Sequence, residues 1–203
     1  MISKQLEYIL AELAGKTPGE MTQRFQRTRD CGLLPKSRGE HAEPLSNEQI
    51  AAAILCLVPE RPGYAGLQGK ALANLRPVGG TDASFRGANT LGAAIAAAIE
   101  DPADFIELEV LDGDFGTNAY GYGAIRHTNT HEVAHYVRES ALTLMQRGAE
   151  RGFDPRLRNV DRQIHRKIVF SAEVFSMISR KVVDARQHRE QLAKLQLHVS
   201  QAG

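Results

Sequence analysis

The chain has 203 residues, 42% of them hydrophobic and 24% charged, with a formal net charge of +1. That composition excludes a disordered chain and allows one domain with a sizeable core or two small ones. The longest apolar run, near Ala93–Ile99, is too short for a membrane span, and the first residues lack the basic–apolar–small pattern of a signal peptide, so a cytoplasmic protein is expected.

The two cysteines, Cys31 and Cys56, form no CxxC pair and lie among apolar neighbours, as buried reduced thiols would. Charge is unevenly spread. The chain is mildly basic through His41, acidic from Ala42 to about Asp114, and basic again from Arg151. Such asymmetry suggests faces of opposite sign, where a uniform scatter would be a solvated surface.

Leu6, Ile9, Leu10 and Leu13 fall at helical spacing, which predicts a first helix over Ser3–Ala14 with Gly15 as its stop. Thr17 can cap a second helix, Pro18 suits its first position, and Glu20 would complete a capping box. That helix runs to about Asp30 and ends at Gly32. Leu33, Leu34 and Pro35 are extended, and Lys36 to Pro44 is a polar loop. Ser46 and Gln49 form a capping box for a third helix that carries Ile50, Ile54, Leu55 and Val58 to the stop at Pro59.

From Pro59 to Gly80 the chain is rich in Gly and Pro, with room for one short helix around Leu67–Leu75. This stretch is the expected domain boundary. Beyond it, Thr90 to Glu100 reads as a helix and Phe105 to Leu111 alternates as a half-buried strand. Gly113 to Gly116 turns, and Tyr120 to Thr128 returns as the partner strand. Asp112 and Asp114 would repel phosphate from that glycine turn, which opens no helix. Val133, Val137, Ala141 and Met145 mark one face of a helix ending near Gly148. Arg166 to Phe170 is a short strand. Ser171 then caps a long last helix with Val174, Phe175, Ile178 and Val182 inside. Its remainder is polar, and Arg186, Arg189 and Lys194 are placed to meet an acidic partner such as RNA polymerase, or DNA itself.

The first two helices have the marks of a helix-turn-helix. Ala11 and Gly15 put a small residue and a permissive one at the turn, so the helices can cross closely. On the second helix Met21, Phe25 and Thr28 share a core-facing sector. Gly19, Gln23, Gln26 and Arg27 lie opposite, with Arg24 and Arg29 flanking and Thr17 at the start. Gln pairs with adenine and Arg with guanine through two hydrogen bonds each, which suits major-groove readout. Glu20 and Asp30 lie toward the same face and would repel phosphate. Lys36, Ser37, Arg38 and His41 surround Gly39 in the loop and form a candidate wing for phosphates or the minor groove. The competing reading is a solvated helical hairpin with a charged loop.

From Tyr8 to Val58 the sequence resembles the DNA-binding head of MerR-type winged-helix regulators. The matching pieces are Arg24 through Pro35, which ends Gly-Leu-Leu-Pro, then Lys36-Ser37-Arg38-Gly39, then Leu45-Ser46. More loosely, the chain resembles small regulators of phage-like gene clusters in bacteria, including activators of gene transfer agents. The resemblance implies a winged helix-turn-helix that binds double-stranded DNA and regulates transcription. Glu40, His41 and Ala42 stand where aromatic residues are usual in the MerR wing. A long coiled coil directly after the head and a cysteine metal sensor are both missing, so inducer binding is not carried over and no cofactor is implied.

His131-Glu132-Val133-Ala134-His135 competes with this reading. On a helix it would place two imidazoles on one face to bind zinc, with Glu132 as general base of a metalloprotease. The metzincin extension is absent, because Arg138 stands at the place of its glycine and no histidine follows three residues on, and no motif selects a third ligand among Glu139, Glu150 and Asp154.

The expected architecture is therefore α+β. A winged helix-turn-helix DNA-binding domain spans 1–78, and an α+β domain over 79–203 carries a β-hairpin and a long C-terminal helix for dimerisation or partner binding. A homodimer is expected, because two linked heads gain effective concentration on paired half-sites. RNA polymerase or another regulator is a further expected partner, and the membrane is not.

Overall fold

The computed structural model of the chain describes residues 1–36, 43–111, 121–128, 132–139, 142 and 167–201, with side chains through 194. The turn expected at Gly113–Gly116 and the wing residues Ser37, Arg38, Gly39 and His41 lie outside the described residues.

Helices α1 (Ser3–Leu13) and α2 (Pro18–Asp30) are punctuated by glycine. Gly15 and Gly32 adopt φ of +59° and +75°, a region costly for residues with a Cβ. Each closes a Schellman turn. Lys16 N–H donates to Ala11 O at 2.9 Å, and Leu33 N–H donates to Thr28 O at 3.1 Å. Thr17 caps α2 as expected, its Oγ1 accepting from Glu20 N–H. The reciprocal half of that capping box is not formed, because the Glu20 carboxylate turns to Arg24 and Lys16 instead. At α3 (Asn47–Leu55) the Ser46–Gln49 box is complete.

Every residue of α3 from Ile50 onward is buried, and burial continues through Val58. Helix α4 (Ala65–Ala73) follows a 3-10 turn at Pro62–Tyr64 and packs on α2 and α3. Helix α5 (Leu91–Glu100) is capped by Thr90 and lies on α3, its alanines permitting close approach.

Among the described residues the sheet has five strands, all antiparallel, in the order β1 (Arg76–Pro77), β4 (Val133–Val137), β3 (Tyr122–His127), β2 (Phe105–Leu111), β5 (Lys167–Ser171). In β2 the register slips between Phe105 and Glu107, which brings Phe105 and Leu108 to the same buried side. That side also carries Val110, Ile125, Ala134, Tyr136 and Phe170 and faces the helices. A smaller cluster of Tyr122, Ala124 and Val137 covers the opposite face. Tyr136 is buried, and its Oη accepts from Phe85 N–H at 2.9 Å. Burial raises its phenol to about 12.

The last helix, α6 (Ala172–Gln201), buries Phe175, Ile178 and Val182 against the sheet and α5, and its exposed part begins at Val183. Among the described residues no helix is long and apolar enough to cross a membrane. A single apolar cluster runs from Leu6 and Phe25 through Ile54, Leu72 and Ile95 to Leu108 and Phe175. It crosses position 78, where the sequence suggests a boundary. Cys31 is half-buried and Cys56 buried, both as free thiols. Burial pushes the Cys56 thiol up to about 12, so it is protonated at neutral pH.

The mixed α and β character and the long C-terminal helix match expectation. The helix expected from Val133 does not, because Val133–Val137 is strand β4 and pairs with β3 and β1. A spacing of four puts Val133 and Val137 on one side of a helix and equally on one side of a strand. The β-branched and aromatic residues of this stretch, with β3 alongside, favour the strand.

Candidate nucleic-acid interface

The α1–turn–α2 hairpin holds α2 by two of its sides. Met21, Phe25 and Thr28 are buried toward the core, as their spacing predicts. A second side is covered by α4. A Cβ built on Gly66 of α4 would lie 2.1 Å from Arg27 O and 2.7 Å from Cys31 Sγ, so the two helices cross with backbone nearly touching. Sequence spacing does not reveal this crossing. Its only signal is the pair of glycines Gly66 and Gly69 within one short helix.

What remains of α2 is a solvent-facing ridge of Gly19, Gln23, Gln26, Arg27 and Asp30. The Gln23 side chain makes no hydrogen bond among the described residues. Gln26 Nε2 donates to Asp30 Oδ1 at 2.8 Å, and Arg27 Nη1 lies 3.5 Å from Asp30 Oδ2, with the Arg27 side chain about half exposed. Such weak surface pairs are broken at little cost when a better acceptor arrives. Gln23, Gln26 and Arg27 are thus brought together on one accessible face, as expected.

Two other residues assigned to that face are not on it. Arg24 is 0% exposed. Its Nη1 donates to Cys56 O at 2.9 Å and Pro59 O at 2.7 Å, and its Nη2 donates to Glu60 O at 3.0 Å and Glu20 Oε1 at 2.8 Å. Arg24 therefore closes the C-terminal end of α3, where helix carbonyls lack intrahelical partners. The helical wheel places it at the flank of the outward sector, between that sector and the core-facing one. The segment that buries it lies more than thirty residues on, beyond the reach of local periodicity.

Arg29 turns the other way, toward α1. Its Nη2 donates to Ser3 Oγ at 2.9 Å and lies 3.7 Å from Glu7 Oε2, and the guanidinium stacks over Phe25. Thr17 is exposed, with its hydroxyl engaged as the cap. Lys36 is exposed where α2 leads into segment 37–42.

The zinc alternative loses its geometry at His135, which stands on strand β4 and shares a hydrogen bond between its Nδ1 and Tyr122 Oη. The Glu132 carbonyl accepts from His127 N–H at 3.0 Å, extending the β3–β4 ladder. His131 lies outside the described residues. Among the described residues no group of three or more His, Cys, Asp or Glu side chains is placed to hold a metal ion.

No protein-family model matches this chain, and no curated protein or solved structure does either.

Proposed function

We propose that the chain is a sequence-specific transcriptional regulator of the cytoplasm that binds double-stranded DNA as a homodimer. Helices α1 and α2 form the helix-turn-helix, and segment 37–42 with Lys36, Ser37, Arg38 and His41 forms a wing, as in the MerR-like head the sequence resembles.

The observation that carries this reading is the ridge of Gln23, Gln26 and Arg27, the side-chain types that read adenine and guanine edges, on a helix fixed on both flanks. A helix clamped by α1 on one side and by α4 on the other presents these groups in a fixed register, which base readout requires. Glu20, which would repel phosphate if free, is neutralised by Arg24 and Lys16.

The test is affinity for a preferred duplex. Gln23→Ala and Arg27→Ala are each expected to weaken that duplex by about 1–3 kcal/mol while binding to random sequence changes much less. Equal binding of parent and both variants to the preferred duplex removes α2 as the reading helix.

A further inference from the structure

On the helical hairpin Lys4 is exposed and in no ion pair among the described residues, and the other cations are paired. Lys16 and Arg24 both pair with Glu20, Arg27 with Asp30, and Arg29 with Glu7. Binding a phosphate backbone requires cations that are not already neutralised, because affinity comes from displacing counterions from DNA. Lys4 and Lys36 are the exposed cations of this part of the chain that form no ion pair among the described residues, and further cations have to come from another element.

Helix α6 brings two of them to the base of segment 37–42. Arg186 Nη2 donates to Asn47 Oδ1 at 3.0 Å. Asn47 is the first residue of α3, immediately after the segment returns through 43–46. In that return, Leu45 N–H donates to Met1 O at 3.0 Å, and Ser3 nearby holds Arg29 of α2. The start of α1, the end of α2, the start of α3 and Arg186 of α6 therefore meet at one place.

Arg189 belongs to the same place. The Met1 amino group has a depressed pKa, first from burial and then from the charges of Arg186 and Arg189. The two arginines are three residues apart, about one helical turn, and so share a side of α6. Both are exposed, and among the described residues neither forms an ion pair. Arg186 rests on a neutral amide, so its charge is intact.

We propose that Arg186 and Arg189 of α6 add phosphate-binding cations to the DNA interface, gripping the backbone at the start of α3 while α2 reads the bases. The proposal rests on the DNA-binding reading above and deepens it. It divides the work between α2 and α6. Lys36 stands at the opposite end of segment 37–42.

The experiment measures binding of the full chain to two duplexes, the preferred one and a scrambled one, across 50 to 200 mM salt. In the Arg186→Ala/Arg189→Ala variant the slope of log affinity against log salt is expected to fall by roughly 3.6 for the homodimer, about 0.9 for each phosphate no longer neutralised by the two arginines of either protomer. Both duplexes weaken by the same factor, so the preference between them is kept. Arg186→Lys/Arg189→Lys restores the slope, since holding a phosphate needs the charge more than the guanidinium shape. An unchanged slope overturns the proposal, and so does a loss confined to the preferred duplex. A change in sedimentation between parent and alanine variant also overturns it, by placing the arginines in chain association. If the parent binds neither duplex, the DNA-binding reading itself fails and takes this assignment with it.

Discussion

Arg24→Ala is expected to destabilise the fold by about 3–5 kcal/mol, the range for breaking a buried, hydrogen-bonded charge. The guanidinium is 0% exposed and serves three main-chain carbonyls, those of Cys56, Pro59 and Glu60, together with the Glu20 carboxylate. Truncation leaves these acceptors without their donor and opens a cavity between α2 and the end of α3. Arg24→Lys recovers only part of the loss, because an ammonium cannot span the carbonyls and the carboxylate with one planar fork.

The same interaction gives stability a pH dependence. Burial raises the Glu20 pKa, but hydrogen bonds from Arg24 and Lys16 outweigh it and hold the carboxyl below its usual range. A group depressed on folding stabilises fully above its unfolded pKa, and that stability is lost as pH falls through the folded value. Acid should therefore weaken the parent at this site and leave less to lose in Arg24→Ala. Denaturant unfolding measured at neutral and acid pH checks both statements. A variant as stable as the parent but defective only in DNA binding would return Arg24 to the interface.

Gly66→Ala is expected to cost about 1–3 kcal/mol, toward the upper end, despite the better helix propensity of alanine. The added methyl would meet Arg27 O at 2.1 Å and Arg27 C and Cys31 Sγ at 2.7 Å. A carbonyl oxygen of a neighbouring helix cannot rotate away, so α4 has to shift as a body. Because α4 forms one wall of the ridge, DNA affinity should fall with stability. Gly69→Ala provides the comparison. Its Cβ meets nothing closer than Cys56 Cα at 3.7 Å, an ordinary van der Waals separation, so it should be neutral or gain up to about 1 kcal/mol. Equal stability of the two variants would mean that the α2–α4 crossing is looser than these distances imply.

Much of the helical half is legible in the sequence because its signals are local. Thr17, Ser46 and Thr90 cap the helices they precede, and Gly15 and Gly32 take the left-handed conformation their positions call for. Strand Phe105–Leu111 follows from alternation, Tyr122–His127 lies within the return strand expected after it, and Lys167–Ser171 overlaps the short strand expected at Arg166–Phe170. Strand β4 is hidden because Val133 and Val137 satisfy both periods, and β1 because two residues with a proline carry no pattern.

The candidate site divides the same way. Gln23, Gln26 and Arg27 lie where a helical wheel puts them. Arg24 and Arg29 do not, because their surroundings are set by the Cys56–Glu60 carbonyls and by Ser3 and Glu7, partners that sequence spacing does not encode. The approach of Arg186 to Asn47, across 139 positions, is of the same kind.

The central claim is that α2 reads DNA sequence, and enrichment of duplexes from a random library by the full chain tests it most directly. The account predicts a recurring short motif bound at least about 10³-fold more tightly than random duplex. It also predicts that the motif loses definition when the Gln23→Ala/Arg27→Ala protein is used instead. A parent that enriches no motif, or a variant that enriches the same motif as sharply as the parent, would contradict it.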